Sequence, residues 1–305
     1  MTGGRDCPYH RAVTVAIRPA VPARIRPELG PVPETLLITL WARAIESRRP
    51  DAIIRDGKAV EIFDQIDHDF GRYRRGWKSQ VGVAVRDRHI DGLVRDWLTR
   101  HREGVVINIG AGLDTRRFRL DDGRVRWIDL DLPEVIALRR RFIDETDRHT
   151  FIATSALDVG WIDAARARCD GRAVLLLAEG VLMFFARDEV RSLLERCAGA
   201  FAGCEMIFDL IGPLMVRLPW LHDTLPKTRA RFRWGARSPA EAASGIDGLE
   251  VLSHRCMLDE CPARWRWMRL CRRVPALRRQ FFVIHLRHRR RARPMPRTQH
   301  AAHTI

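Results

Sequence analysis

Lysine is nearly absent from this chain: 51 of the 54 basic residues are arginine, and lysine occurs only at Lys58, Lys78 and Lys227. A GC-rich coding bias produces such a skew without any selection for binding. Long apolar runs are also missing. Nothing approaches the ~18 to 20 residues needed to cross a bilayer, and the stretch from Ala12 to Ile17 is broken at Arg18 and Pro19 before it could serve as a secretory core. The expectation is a chain neither exported nor membrane-inserted, hence cytoplasmic. The seven cysteines form no C-x-x-C pair and have no histidine at zinc-ligand spacing beside them. Each reads as a reduced, buried small hydrophobe rather than a ligand or nucleophile.

Acidic residues stop at Glu260, while 13 arginines fall between Arg264 and Arg297. The formal charge of +16 suggests a partner rich in phosphate. Without those 13 residues the first 263 positions carry only +3. The body is close to neutral, and five of the charges (Arg289, Arg290, Arg291, Arg293, Arg297) sit on a terminal tail. Nucleic acid is therefore not the expected partner. With 46% apolar residues in 305, the chain can bury one large core.

Residues 1–30, with Pro8, Pro19, Pro22 and Pro27 among scattered arginines, carry no apolar stripe and read as a loose arm. Apolar pairs recurring every four residues predict a helix over 33–47, and the pattern repeats over 60–66 and 89–98. At Gly104 the texture changes. Strand-like segments at 105–109, 125–131, 151–155, 173–178 and 204–211 alternate with helical ones at 134–143, 161–168 and 188–202, the last with Asp188 placed to cap it. Such alternation implies right-handed βαβ crossovers and a doubly wound, mostly parallel sheet. Residues 212–238 lapse into irregular sequence that reads as an insertion over the end of the sheet, and 249–257 and 280–288 read as two closing strands. Seven strands with a late hairpin-like pair suit a Rossmann-like methyltransferase sheet with an N-terminal helical extension better than a six-stranded dehydrogenase sheet. The domain then spans 31–288: helices to 103, a donor-binding core over 104–211, an acceptor-side insertion over 212–248 and closing strands over 249–288. A basic tail of 289–305 follows.

The first strand runs into VVINIGAGLDT, in which Gly110 and Gly112 supply two glycines of a dinucleotide fingerprint and Thr115 stands where the third belongs. Alone, this pattern is equally a plain tight turn. The next strand adds Asp129 and Asp131, 19 and 21 residues after Gly110, where a carboxylate can accept both ribose hydroxyls. Loop and acid together indicate adenosine. Asp114 directly after the loop disfavours the pyrophosphate of NAD and suits the cationic part of S-adenosylmethionine. Arg116, Arg117 and Arg119 admit a plain role as a solvated helix face.

These residues resemble a known family. NIGAGLDTRRFRL, then WIDLDLPEV, SALDVGW and LLLAEGVLMFF are similar, in order and spacing, to the leucine carboxyl methyltransferases, in particular the bacterial O-methyltransferases of polyketide synthesis. The resemblance runs from about Pro33 to His288 and implies a class I methyltransferase fold with S-adenosyl-L-methionine as donor. It places Gly110 under the methionine part of the donor, Asp131 on the ribose, Ala156 and Leu157 at the adenine, with Asp158 a secondary candidate, and Arg86 on the methionine carboxylate. Glu179, at the end of the most hydrophobic strand, needs a partner when buried; the resemblance makes that partner the donor or an arginine beside it. Arg43 matches more loosely and reads equally as an exposed residue of the first helix. Asp131 has a second reading, as a cap before Pro133. Where relatives carry tyrosine, this chain has Phe184 or Phe185.

Transfer of a methyl group from sulfonium is an in-line displacement favoured by a desolvated, well-aligned site. A carboxylate acceptor needs no base, and a phenol does. His68, His89, His222 and His254 are candidates by type only. The expected acceptor is a small polyketide-like or aromatic molecule, with Trp220, Phe232 and Trp234 lining its pocket. A protein or peptide carboxyl terminus is the enzymatic rival; an arginine-rich nucleic-acid binder and an inactive donor-binding regulator are rivals from other classes.

Overall fold

The computed structural model describes residues 24–289; the arm before Arg24, with Cys7, and the tail after Arg289 lie outside the described residues. Three helices precede the sheet: α1 (Leu36–Ser47), α2 (Gly57–Gln65) and α3 (Trp77–Arg100). The sheet strands are β1 (Val105–Ile109), β2 (Arg126–Asp131), β3 (His149–Ala153), β4 (Val174–Ala178), β5 (Glu205–Ile211), β6 (Leu249–Cys256) and β7 (Phe281–His288). Between them lie the short α4 (Arg117–Leu120), then α5 (Pro133–Arg139), α6 (Gly160–Cys169), α7 (Arg187–Ala200) and α8 (Pro213–Arg217).

The seven strands are ordered β3-β2-β1-β4-β5-β7-β6. The first five are parallel, and β7 runs antiparallel to both β5 and β6. This is the class I methyltransferase arrangement expected from the alternation. The sheet is covered on both faces, so β1, β4 and β5 are buried at every position and mostly apolar. Along β1, Val105, Ile107 and Ile109 join the layer of α6 and α7, where Trp161 and Leu193 pack, while Val106 joins α3 through Val85, Val94 and Trp97. A third cluster ties α1 and α2 to α5 through Leu37, Ile62 and Ile136. Ile25, in the part of the arm that is described, forms a bridge with Ile66.

The structure departs from the sequence expectations in particular places. Helix α3 begins at Trp77, twelve residues before the predicted start at His89, because its front half buries polar Ser79 and Asp87 beside Val81, Val83 and Val85 and so lacks a one-sided apolar stripe. Strand β3 begins two residues early, at His149, whose ring is buried against Asp129. Asp188 does not cap α7: it lies exposed in the first turn, and Glu189 reaches back to accept from the Ala186 N–H at 2.6 Å. The cysteines among the described residues are free, and burial pushes the thiols of Cys197 and Cys204 up to about 12. No helix among the described residues is long and apolar enough to cross a membrane.

At the amino end of β5, Glu205 is paired with Arg100 at the end of α3 (2.8 Å) and with Arg287 (3.1 Å) and His285 (2.7 Å) of β7. Burial opposes ionisation there, but hydrogen bonds from Arg100 and His285 hold the carboxyl well below the usual range. A depressed folded-state pKa contributes stability above the unfolded value, ~4.3 for glutamate, and loses it as pH falls. Urea unfolding should therefore show stability dropping as pH is lowered from 5 to 3, with a shallower slope in Glu205→Gln.

Candidate active site

Two cavities open at the carboxyl ends of the strands, where an open α/β sheet binds its ligands. The first, about 950 Å³, is built on the loop after β1 and on the end of β2. Gly110 and Gly112 turn with φ of +67° and +48°; a Cβ on Gly110 would lie 2.2 Å from Val181 Cγ2, so a side chain there has no room. Most of the loop amides are spent internally. Gly110 and Ala111 donate to the Leu130 carbonyl at 2.7 and 3.1 Å, Asp114 donates to Ala111, and the Arg116 N–H donates to Asp114 Oδ1. Gly112 is held on both sides: its N–H donates to Asp131 Oδ2 at 2.7 Å and its carbonyl accepts from Arg139 Nη1 at 3.1 Å. A pyrophosphate cradle offers such amides to its ligand; this loop does not.

Of the predicted residues, Gly110, Gly112, Asp131, Ala156 and Glu179 all line this first cavity, joined by Asn108 and Asp114. Asp131 Oδ1 accepts from Leu132 N–H and no N–H within α5, so Asp131 is not a helix cap. Burial raises its carboxyl against those two amide bonds. Leu157 and Asp158 are outside the lining; Asp158 is exposed and accepts from Thr154. Asp129 is also outside, buried in a pair with Arg139 and His149 at 2.5 Å each.

Beneath the cavity lies a buried set of charges that the arginine-rich run after the loop did not foretell. Glu179 gives one oxygen to Arg86 Nε (2.8 Å) and the other to Arg116. Arg116, only 1% exposed, also pairs with Asp91 (2.6 Å) and Asp114 (2.7 Å), and Arg119 pairs with Asp91 (2.9 Å) and Asp56. Neither is on a solvated face. Arg43 is likewise buried, not exposed: it donates to the Leu113 carbonyl at 2.8 Å and stands 3.7 Å from Asp56 and 3.9 Å from Asp87. Burial would raise Glu179, but the guanidiniums of Arg86 and Arg116 hold it well below the carboxylate range. Burial, then the Glu179 charge, pushes Asp87 well above that range. Neither Asp87 oxygen accepts a conventional hydrogen bond. The set thus combines four guanidiniums with six carboxyl groups (Asp56, Asp87, Asp91, Asp114, Glu179, Asp209), so acidic groups outnumber basic ones beside the cavity. The clue in the sequence was the spacing of Asp87 and Asp91, one turn apart on a helix, but nothing local linked them to Arg116.

The second cavity, about 990 Å³, adjoins the first: Thr35, Thr39, Gly180 and Phe184 line both. Arg86 lines this one, lying across the partition with Nη1 on Asp209 at 2.7 Å. The remaining wall is largely apolar, including Ile38, Met183, Phe232, Trp265 and Phe282. Phe232 is placed as expected. Trp220 and Trp234 are not: Trp220 is 67% exposed, and Trp234 packs into the core beside α7. Trp265 and Met268, from the 3₁₀ segment between β6 and β7, take part in their place.

The sheet order, the glycine loop and the acid after β2 together define a class I S-adenosylmethionine-dependent methyltransferase. The comparison with known proteins agrees. Residues 36–198 match the model of the leucine carboxyl methyltransferases, and the chain belongs to that family. It is 34% identical over 229 residues to the tetracenomycin polyketide synthesis O-methyltransferase TcmP of Streptomyces glaucescens, covering 75% of this chain and 84% of that protein. It is 30% identical over 248 residues to the S-adenosyl-L-methionine-dependent methyltransferase dpfgK of Gibberella zeae, covering 74% and 83%. A DUF574 family protein from Streptomyces avermitilis shares the fold, with a TM-score of 0.54 at 15% identity over 81% of this chain and 96% of that one.

Arg116→Met leaves Glu179, Asp91 and Asp114 short of a buried counterion. Urea unfolding should show a loss of about 3–5 kcal/mol, partly recovered when Glu179→Gln is added.

Proposed function

We propose that the protein transfers the methyl group of S-adenosylmethionine to an oxygen, a carboxylate in preference to a phenol, of a small polyketide-like or aromatic acceptor. The observation that carries this reading is the pair of adjoining cavities, one with glycines and acids, the other largely apolar. The likeness to TcmP, an O-methyltransferase of tetracenomycin polyketide synthesis, supports the same acceptor class.

The first cavity fits the donor. Gly110 and Gly112 give the positive-φ turn that forms the floor of the cavity, Asp131 offers a carboxylate at the end of β2 for the ribose, Ala156 gives an apolar wall for the adenine, and the acidic groups around Glu179 and Asp114 favour a cation. Arg86, with Nε and Nη1 already engaged, keeps Nη2 for an anionic group near the partition. The bound donor supplies an electrophilic methyl group on sulfonium. The chain's part is to align the acceptor oxygen with it and to exclude water, which alone lowers the barrier substantially.

The preference for a carboxylate comes from the acids on the acceptor side. Asp209 is spent on Arg86 and the Gly180 N–H, and Asp223 on the Ser79 hydroxyl (2.5 Å) and the Lys78 N–H (2.9 Å). A phenol would need one of them as a base, while a carboxylate arrives ionised.

Calorimetry should show S-adenosylhomocysteine binding and NAD giving no heat; Asp131→Ala should weaken the former roughly 10- to 100-fold, as expected for loss of a hydrogen bond to a charged group. With radiolabelled donor and a mixture of aromatic acids and cell protein, label should enter organic-soluble material. Label found in protein alone would favour a protein carboxyl terminus as acceptor.

A further inference from the structure

His222 is the imidazole on the wall of the second cavity, where a histidine would ordinarily be taken for a general base. Its hydrogen bonds exclude that role. Nδ1 faces the backbone N–H of Leu225 at 3.1 Å and that of Thr224 at 3.4 Å, with the Thr224 hydroxyl at 3.3 Å. A backbone N–H can only donate, so Nδ1 must present its lone pair, and the neutral ring carries its hydrogen on Nε2. Nε2 has no partner in the protein and is not sealed from the cavity space.

The ring is held firmly in this state. Phe232 meets it edge-on, with centroids 5.9 Å apart at 74°. The next residue, Asp223, accepts from the N–H groups of Lys78 and Ser79 in the first turn of α3, and Thr224 Oγ1 lies 2.8 Å from Ser79 Oγ. The loop is thus pinned to the start of α3 on one side and turned onto His222 Nδ1 on the other. Charges from neighbouring elements stand around it: Lys78 and Arg86 on α3, Asp209 on β5 and the adjoining Asp223. Burial outweighs the Asp223 charge and pushes the imidazole down to about 4, so the ring is neutral near pH 7.

Resting on the reading of this cavity as the acceptor site, we propose that His222 is a positioning residue: its fixed Nε2–H donates a hydrogen bond to an oxygen of the acceptor and selects molecules that offer an acceptor atom there. A carbonyl or carboxylate oxygen meets that requirement. A hydroxyl meets it only by turning its own hydrogen elsewhere, and an apolar edge leaves the N–H unpaired, at a cost.

The test is ¹⁵N NMR of the imidazole, assigned by its disappearance in His222→Gln, together with binding of 3-hydroxy-2-naphthoate to the full chain saturated with S-adenosylhomocysteine. The expected result is a pyrrole-like Nε2 and a pyridine-like Nδ1 that do not titrate between pH 5.5 and 8, with a shift at Nε2 when the naphthoate is added. His222→Phe, which retains an aromatic ring, should weaken naphthoate at least tenfold, and His222→Gln, whose amide can donate, should restore most of the affinity while S-adenosylhomocysteine binds all three proteins alike. A proton on Nδ1, titration of the ring within that range, or equal naphthoate affinity in wild type and His222→Phe would overturn the proposal. Transfer of label to protein in the acceptor assay would count against the acceptor class and would leave the nitrogen shifts as they are.

Discussion

Glu179 stands at the carboxyl end of β4 with its two oxygens divided between Arg86 and Arg116, and the elements around both cavities are arranged about that buried charge. Arg86 comes from α3 and Arg116 from the turn after the glycine loop. Each brings further acids: Asp209 on β5 for Arg86, and Asp91 and Asp114 for Arg116. Buried ion pairs contribute little to net stability, because desolvation offsets the attraction. What this set does is fix registry. The N-terminal helices cannot slide along the sheet without leaving a guanidinium or a carboxylate unpaired in an apolar interior.

The acceptor side depends on the same helix in a different way. Gly76, at the start of α3, has no side chain to cap the first turn, and Asp223, distant in sequence, accepts from its amides. Capping a long helix from the insertion ties the loop of Asp223 to the element that also carries Arg86. The charges beneath the first cavity and the loop on the wall of the second are therefore both fastened to α3.

The fold was legible because its signals are local. The alternating strand and helix textures reported β1 to β5, and the glycines at 110 and 112 are demanded by backbone geometry that few residues can adopt. Asp131 could be placed because its distance from the loop is a property of the βαβ unit. Contacts that join distant segments left no such trace. Arg116 reads like any other arginine in RRFR until Glu179 and Asp91 are seen beside it, and Trp265 stands where Trp234 was expected because a 3₁₀ segment after β6, not the insertion, brings its indole to the cavity. The first half of α3 was hidden by its own burial: a helix covered on nearly all sides shows no period.

The clamp on Gly112, between Asp131 and Arg139, has a consequence for turnover. With most of its amides engaged by the protein, the loop has little left to order when a ligand enters, so the first cavity is preorganised. A rigid cradle cannot tell substrate from product by closing on one of them. The spent donor, S-adenosylhomocysteine, keeps the adenosine and amino-acid parts and lacks the methyl group and the positive charge on sulfur. The acidic groups around Glu179 are the part of this cavity whose charge favours a cationic sulfonium over a neutral thioether.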